Sequence, residues 1–289
     1  MLKALSVFLL CTLSLSAYSD FDMDGVDDAL DRCPNTSMTE LVDMHGCTIK
    51  NLEGDHHFDV ILGANYSQID PTTQEQTDTF AASIQADYYY KNFSIQVSAA
   101  YFNSESTIAS SSGQTDTFVG AYYQLYPADA LSLRLGGGLL LPTYKSDFNN
   151  NNLDYSASAN LSYLLNNFNL FGSYSYTVIN DDDFGYTDAT VIPTETVDIR
   201  YQNTGAFNIG IGFYPTARLY TSLAYNHSDS IYEKIVTNGV ADTIEPLQTA
   251  SAYIFYTISK ERFVTLSYAY GLSDSASDHS AAVRIGHYF

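Results

Sequence analysis

The 289-residue sequence has no tryptophan, three cysteines, and only 12 lysines and arginines against 33 aspartates and glutamates. Its formal charge of −21 and its lack of any basic cluster exclude a nucleic-acid partner, because such a chain repels phosphates. Charged residues make up 16% of the chain, below the roughly 25% of an ordinary soluble domain, too few to coat a water-facing surface. Long apolar runs are also missing. No stretch approaches the ~18 consecutive apolar residues that a membrane helix requires, although 45% of residues are hydrophobic. Aromatic side chains are what the sequence does have: 25 Tyr and 16 Phe.

Lys3 followed by the short apolar run Ala4 to Ala17 reads as a secretory signal peptide spanning residues 1–17. Cys11 leaves with it. Cys33 and Cys47 then stand in an oxidising compartment, where a disulfide between them is the default. In the chain-entropy model, closing a loop of that size is worth ~3 kcal/mol.

Residues 18–50 carry a charge of −6. Asp20, Asp22, Asp24, Asp27, Asp28 and Asp31 fall within twelve residues, and Gly25 permits the sharp turn that calcium loops use. Alternate carboxylates brought around one point suit Ca2+, which takes six to eight oxygen ligands. An EF-hand is excluded because the twelfth position is Asp31 and Cys33-Pro34 ends any helix at once. The alternative is a solvated acidic linker. The run D-x-D-x-D-G-V-x-D-x-x-D-x-C-P, followed by Thr36, Val42-Asp43 and Gly46-Cys47, resembles the thrombospondin type 3 repeat of bacterial envelope proteins. The resemblance implies calcium ligand roles for Asp20, Asp22, Asp24, Asp28 and Asp31, with Val26 offering its carbonyl. This chain has a single copy, whereas the family often strings repeats together and shares ions between them.

After a linker at 51–56, apolar and polar residues alternate with period two. Phe93, Ile95, Val97, Ala99 and Tyr101 alternate with Ser94, Gln96, Ser98 and Ala100, and Tyr155 to Tyr163 and Phe207 to Phe213 behave alike. The pattern predicts twelve strands over 57–69, 77–90, 93–106, 115–126, 131–144, 153–165, 168–180, 196–214, 218–229, 247–259, 262–273 and 279–289. Tight turns at Lys91-Asn92, Pro127-Ala128-Asp129, Asn166-Asn167, Pro215-Thr216-Ala217 and Lys260-Glu261 alternate with long polar loops. An all-β, transmembrane, antiparallel up-and-down barrel sorts its connections in this way, with the short turns periplasmic.

In this arrangement Leu133, Leu135 and Leu139 face lipid, and Tyr90, Phe93, Tyr126, Phe168, Phe213 and Phe263 form an aromatic girdle. The final strand ends on Phe289, which resembles the insertion signal of bacterial outer-membrane proteins. With the rest of the barrel it identifies residues 57–289 as similar to porin-like outer-membrane β-barrels of Gram-negative bacteria. The resemblance implies outer-membrane lipid and the barrel assembly machinery, met through Phe289, as partners. His287 departs from the usual signal.

The predicted inward residues are mostly small: Gly63, Ser83, Ser98, Gly136, Gly138, Ser156, Ser158, Ser173, Ser175, Gly210, Gly212, Ser222, Ser251, Ser267 and Gly286. Inward charges reduce to Asp59, Asp87, Asp154 and Asp198 against Arg134, Arg200 and Arg284. The expectation is a narrow aqueous channel for small neutral or cationic solutes, with Asp181-Asp182-Asp183 concentrating cations at its mouth. A structural or adhesive barrel is the alternative, its calcium segment spacing it from peptidoglycan or a periplasmic protein. A hydrolase is the weaker alternative, since only His227, Ser228, Asp229 and Ser230 offer a nucleophile beside a base. His56-His57 on a strand point to opposite sides and do not converge on a metal.

Overall fold

The computed structural model describes residues 56–70, 76–107, 110–144, 152–188, 195–241 and 244–289. The signal peptide, the calcium segment with its ligands Asp20, Asp22, Asp24, Val26, Asp28 and Asp31, and the Cys33–Cys47 pair lie outside the described residues.

The described residues form strands joined by turns and loops. In chain order the strands are β1 (His56–Ile69), β2 (Thr77–Tyr90), β3 (Phe93–Ser106), β4 (Ser110–Gln114), β5 (Thr117–Ala128), β6 (Leu131–Leu141), β7 (Asp154–Leu165), β8 (Phe168–Val178) and β9 (Phe184–Asp188). There follow β10 (Glu195–Tyr201), β11 (Thr204–Thr216), β12 (Leu219–Ser228), β13 (Tyr232–Thr237), β14 (Val240–Ala241), β15 (Leu247–Ser259), β16 (Arg262–Gly271) and β17 (His279–Tyr288). Twelve of them, β1 to β3, β5 to β8, β11, β12 and β15 to β17, form one antiparallel wall that closes on itself through β1 and β17. The seam runs in register from Asp59 opposite Tyr288 to Gln68 opposite His279.

Two-residue turns connect the wall strands at one end, at Lys91–Asn92, Asp129–Ala130, Asn166–Asn167, Ala217–Arg218 and Lys260–Glu261. Lys91 and Asn166 each adopt φ of 52°, the mirror-image turn conformation whose twist matches paired strands. The chain reaches Pro127 still in β5, and the register shifts between Leu125 and Ala128. Proline has no N–H for the ladder, so it sits in a bulge, and the turn expected at 127–129 moves on by a residue.

At the opposite, loop end the expectation needs correcting. The strand predicted over 196–214 is two strands, broken at Gln202–Asn203. Its first part, β10, leaves the wall and joins a separate four-stranded sheet in the order β14-β13-β10-β9. Asp198 and Arg200, expected to face the lumen, lie in that loop sheet as a half-exposed pair 4.0 Å apart. The sheet buries Ile199 and pairs Tyr201 with Tyr232 at 5.6 Å between ring centres. Burial, reinforced by the neighbouring Tyr232, pushes the Tyr201 phenol up to about 12.

The apolar side chains point outward. Among the described residues the only buried apolar ones are Ile199, Phe263 and Ala276, whereas Leu62 is 58% exposed, Ile209 63% and Leu223 64%. A water-soluble barrel would bury these residues; this surface is matched to hydrocarbon. Tyr90, Phe93, Tyr126, Phe168 and Phe213 form the exposed ring of aromatics at the turn end. Phe263 does not belong to it: it is 6% exposed and faces inward, because Val264, Leu266 and Tyr268 hold the outward parity of β16. A second outward ring, with Tyr101, Tyr155, Tyr176 and Tyr270, stands at the loop end. Phe93 and Tyr101, like Phe168 and Tyr176, are eight residues apart, ~27 Å along a strand. A tilt of ~40° brings this to ~21 Å along the barrel axis, within the ~25 Å apolar band of outer-membrane barrels.

The seam carries a direct stability prediction. Phe289 donates its backbone N–H to Phe58 O at 2.9 Å, and the two rings stack 4.8 Å apart, 8° from parallel. Phe289→Ala is expected to lower the urea stability of the vesicle-inserted protein by about 1 kcal/mol, measured by tyrosine fluorescence.

Candidate functional site

Every glycine and serine predicted to face inward does lie on the inward parity of its strand. The glycines, however, do not leave open water. Large aromatics on the same parity lie over them: Phe118 over Gly120 and Gly138, Tyr122 over Gly136, Phe171 over Gly210, Tyr220 over Gly212, and Phe263 over Gly286. A Cβ at Gly136, Gly138, Gly210, Gly212 or Gly286 would collide with the ring. Further rings continue this lining, with Phe255 stacked on Phe263 at 5.1 Å and Phe263 tilted against Tyr288 at 4.9 Å.

Phe118 lies near the loop-side start of β5, but the other rings lie toward the turn end of the inward face. Asp59, Asp87, Ser94, Phe263 and Thr265, all inward and all near that end, are each under 9% exposed. Asp59 and Asp87 are cross-strand partners on β1 and β2. Gln85 donates Nε2 to Asp87 Oδ2 at 2.6 Å. Arg134 reaches across to donate to Ser94 Oγ at 3.2 Å, its guanidinium 4.0 Å from the Tyr122 ring centre. His57 stacks on Tyr89 at 4.6 Å while His56 faces Tyr88 on the other side of the strand, so the two imidazoles diverge as expected.

The loop-end half of the inward face carries hydroxyls and amides. Asn65, Ser67, Thr79, Ser267, Ser280 and Arg284 border a recess of about 250 Å³. Hydroxyls and amides pair across the wall here, Thr79 with Ser104 at 2.8 Å and Asn226 Nδ2 to Ser251 Oγ at 2.9 Å, and also beside the Asn166–Asn167 turn, where Ser162 Oγ donates to Asn169 Oδ1 at 2.6 Å.

The loop acids have a structural task. Asp181 accepts from Asn152 N, Asp183 from Tyr201 N, Asp154 from Asn180 N, Asp229 from Gly205 N, Asp116 from Tyr144 N and Asp278 from Asp70 N, at 2.6–3.3 Å. These carboxylates join neighbouring loops, in addition to placing negative charge at the mouth. At the candidate triad, His227 Nε2 lies 3.6 Å from Asp229 Oδ1 and its ring stacks on Phe207 at 5.0 Å. Ser228 Oγ donates to the Asp229 carbonyl at 3.1 Å. The hydroxyl is not directed at the imidazole, so the pairing of nucleophile and base that acyl transfer requires is not formed here.

No family model and no curated sequence matches the chain. Among solved structures, an outer-membrane channel from Pseudomonas putida F1 is similar with a TM-score of 0.65 at 11% identity, over 81% of this chain and 95% of that one. The transport unit of the autotransporter AIDA-I from Escherichia coli scores 0.47 at 11% identity over 83% and 92% of the two chains. The outer-membrane channel DcaP of Acinetobacter baumannii scores 0.37 at 12% identity over 81% and 96%. The first likeness is one of fold, and the fold is that of a closed outer-membrane β-barrel. The other two add nothing to it.

The ring-over-glycine packing predicts an asymmetry among glycine substitutions. Gly286→Val, beneath Phe263, is expected to cost about 1–3 kcal/mol of urea stability through overpacking. Gly185→Val, in the loop sheet where nothing lies within 4 Å, should leave the urea midpoint unchanged.

Proposed function

We propose that this protein is an outer-membrane channel that passes small neutral or cationic solutes through a narrow lumen. The observation that carries the reading is the division of that lumen. Hydroxyls and amides border a recess on the loop side of Arg284, while aromatic rings and the buried Asp59 and Asp87 line the turn end. Hydroxyls and amides can replace part of a small solute's hydration shell, and low-charge walls discriminate by size before charge. Two buried carboxylates beside a single arginine favour cations over anions at the throat. The long loops face the exterior and the turns the periplasm, as in bacterial barrels generally. Residues 18–50 then lie in the periplasm, where the Asp20–Asp31 loop binds Ca2+ and stiffens the segment that precedes the barrel.

The tight packing of the throat favours a second reading, a barrel that serves as a structural anchor and passes nothing. Single-channel recording in planar bilayers separates the two. The channel reading expects small discrete steps, a reversal potential displaced toward cations, and larger steps for Phe263→Ala, which empties part of the throat. Silent but fully inserted barrels in both proteins would leave only the anchor. For the calcium segment, Asp22→Asn with Asp24→Asn is expected to abolish Ca2+ binding by residues 18–50 in isothermal titration while leaving insertion intact.

A further inference from the structure

Asp59 and Asp87 present an electrostatic problem that their surroundings leave unsolved. They stand directly opposite each other on adjacent strands and both face the lumen. Asp59 is 5% exposed and Asp87 4%. Like charges directly opposite in a sheet repel, and a carboxylate removed from water needs a partner. Asp87 has one, the Gln85 amide. Asp59 Oδ1 is buried with no hydrogen-bond partner. Arg134 is near enough for its charge to act on Asp87, but its hydrogen bond goes to Ser94 and its guanidinium lies on Tyr122, so it forms no ion pair with either carboxylate. Among the described residues no ion pair forms with either carboxylate. On the β17 side Asp59 is opposite Tyr288, and on the β3 side Asp87 is opposite Gln96. Apart from Arg134, and His57 on the same inward parity of β1, the groups facing the pair are thus neutral amides and phenols.

We infer that Asp59 and Asp87 together bind a hard divalent cation of the Mg2+, Ca2+ or Mn2+ class inside the throat. The chemistry fits such an ion: oxygen donors with no thiolate, and two negative charges to balance two positive ones. The buried Asp59 oxygen that lacks a hydrogen-bond partner would serve as a donor to it. A cation there offsets the repulsion between β1 and β2 and narrows the path through the lumen. The inference deepens the channel reading and rests on it only for the ion's effect on current.

The test uses Mn2+ with the full-length, detergent-folded protein at neutral pH. Electron paramagnetic resonance counts the bound ions, and urea midpoints report the stability that binding confers. The wild type is compared with Asp59→Asn/Asp87→Asn and with Asp22→Asn/Asp24→Asn, which removes the independent site near the N-terminus. One class of bound Mn2+, together with Mn2+-dependent stabilisation of the barrel, should vanish in Asp59→Asn/Asp87→Asn and persist in the other variant. Without Mn2+, the asparagine pair should be at least as stable as the wild type, because the repulsion is gone. Should the double substitution fail to fold, Asp59→Asn alone gives the same comparison. Equal Mn2+ binding in wild type and Asp59→Asn/Asp87→Asn overturns the inference. So does an infrared carbonyl band of a protonated carboxyl, lost only in that variant, which would mean that the two acids share a proton instead. Bilayer recordings keep the two proposals apart. Mn2+ should reduce wild-type steps and not those of the variant. A barrel that binds Mn2+ at the pair yet carries no current sinks the channel reading and leaves the site; a conducting barrel with unaltered binding does the reverse.

Discussion

The constraint on which this structure depends is that a peptide group in hydrocarbon must find its hydrogen-bond partner within the protein. Each group left unpaired costs several kcal/mol, so the sheet cannot have an edge. The β1–β17 ladder meets this requirement over ten paired residues, and Phe289 extends it by one further bond to Phe58. The other features follow from closure. Strands must alternate in direction, connections must sort into turns and loops, and each residue is committed to lipid or lumen by parity alone. The outward face then needs no specific packing. Only the inward face can carry selectivity.

That inward face is organised by size complementarity between neighbouring strands. A ring on one strand lies over a glycine on the same or an adjacent strand, as Tyr122 does over Gly136 and Phe263 over Gly286. Bulk is thereby distributed so that large rings fit on the inward face without forcing the wall apart. The polar groups there, Asp59, Asp87, Gln85, Ser94 and Arg134, are held among these rings rather than in free water. Interactions in such a medium are stronger than at an open mouth.

Much of the wall was legible because parity is a local property. Alternation placed the twelve crossings, the outward leucines and the inward serines, and Asn166-Asn167 marked its own turn. Three things were not local. Phe263 was read as an outward girdle residue from its nearness to a strand end, although its neighbours Val264 and Leu266 already held the outward parity. The lumen rings were passed over because their meaning depends on register: Tyr122 shares a parity with Gly120, but its seat is Gly136 on the next strand. The break at Gln202–Asn203 was hidden because β10 and β11 both alternate, and only pairing with β13 shows that β10 has left the wall. The pairing of Asp59 with Asp87 likewise emerges from register rather than from either strand alone.

The loop sheet has a bearing on how the barrel reaches its final state. β9 and β10 lie between wall strands β8 and β11, while β13 and β14 lie between β12 and β15, so the β10–β13 ladder sews two separate connections together. It can form only once both connections have emerged on the same side of the bilayer. From then on neither can slip back singly without tearing open the shared ladder. The sheet therefore ties the two connections to each other on the loop side of these four wall strands.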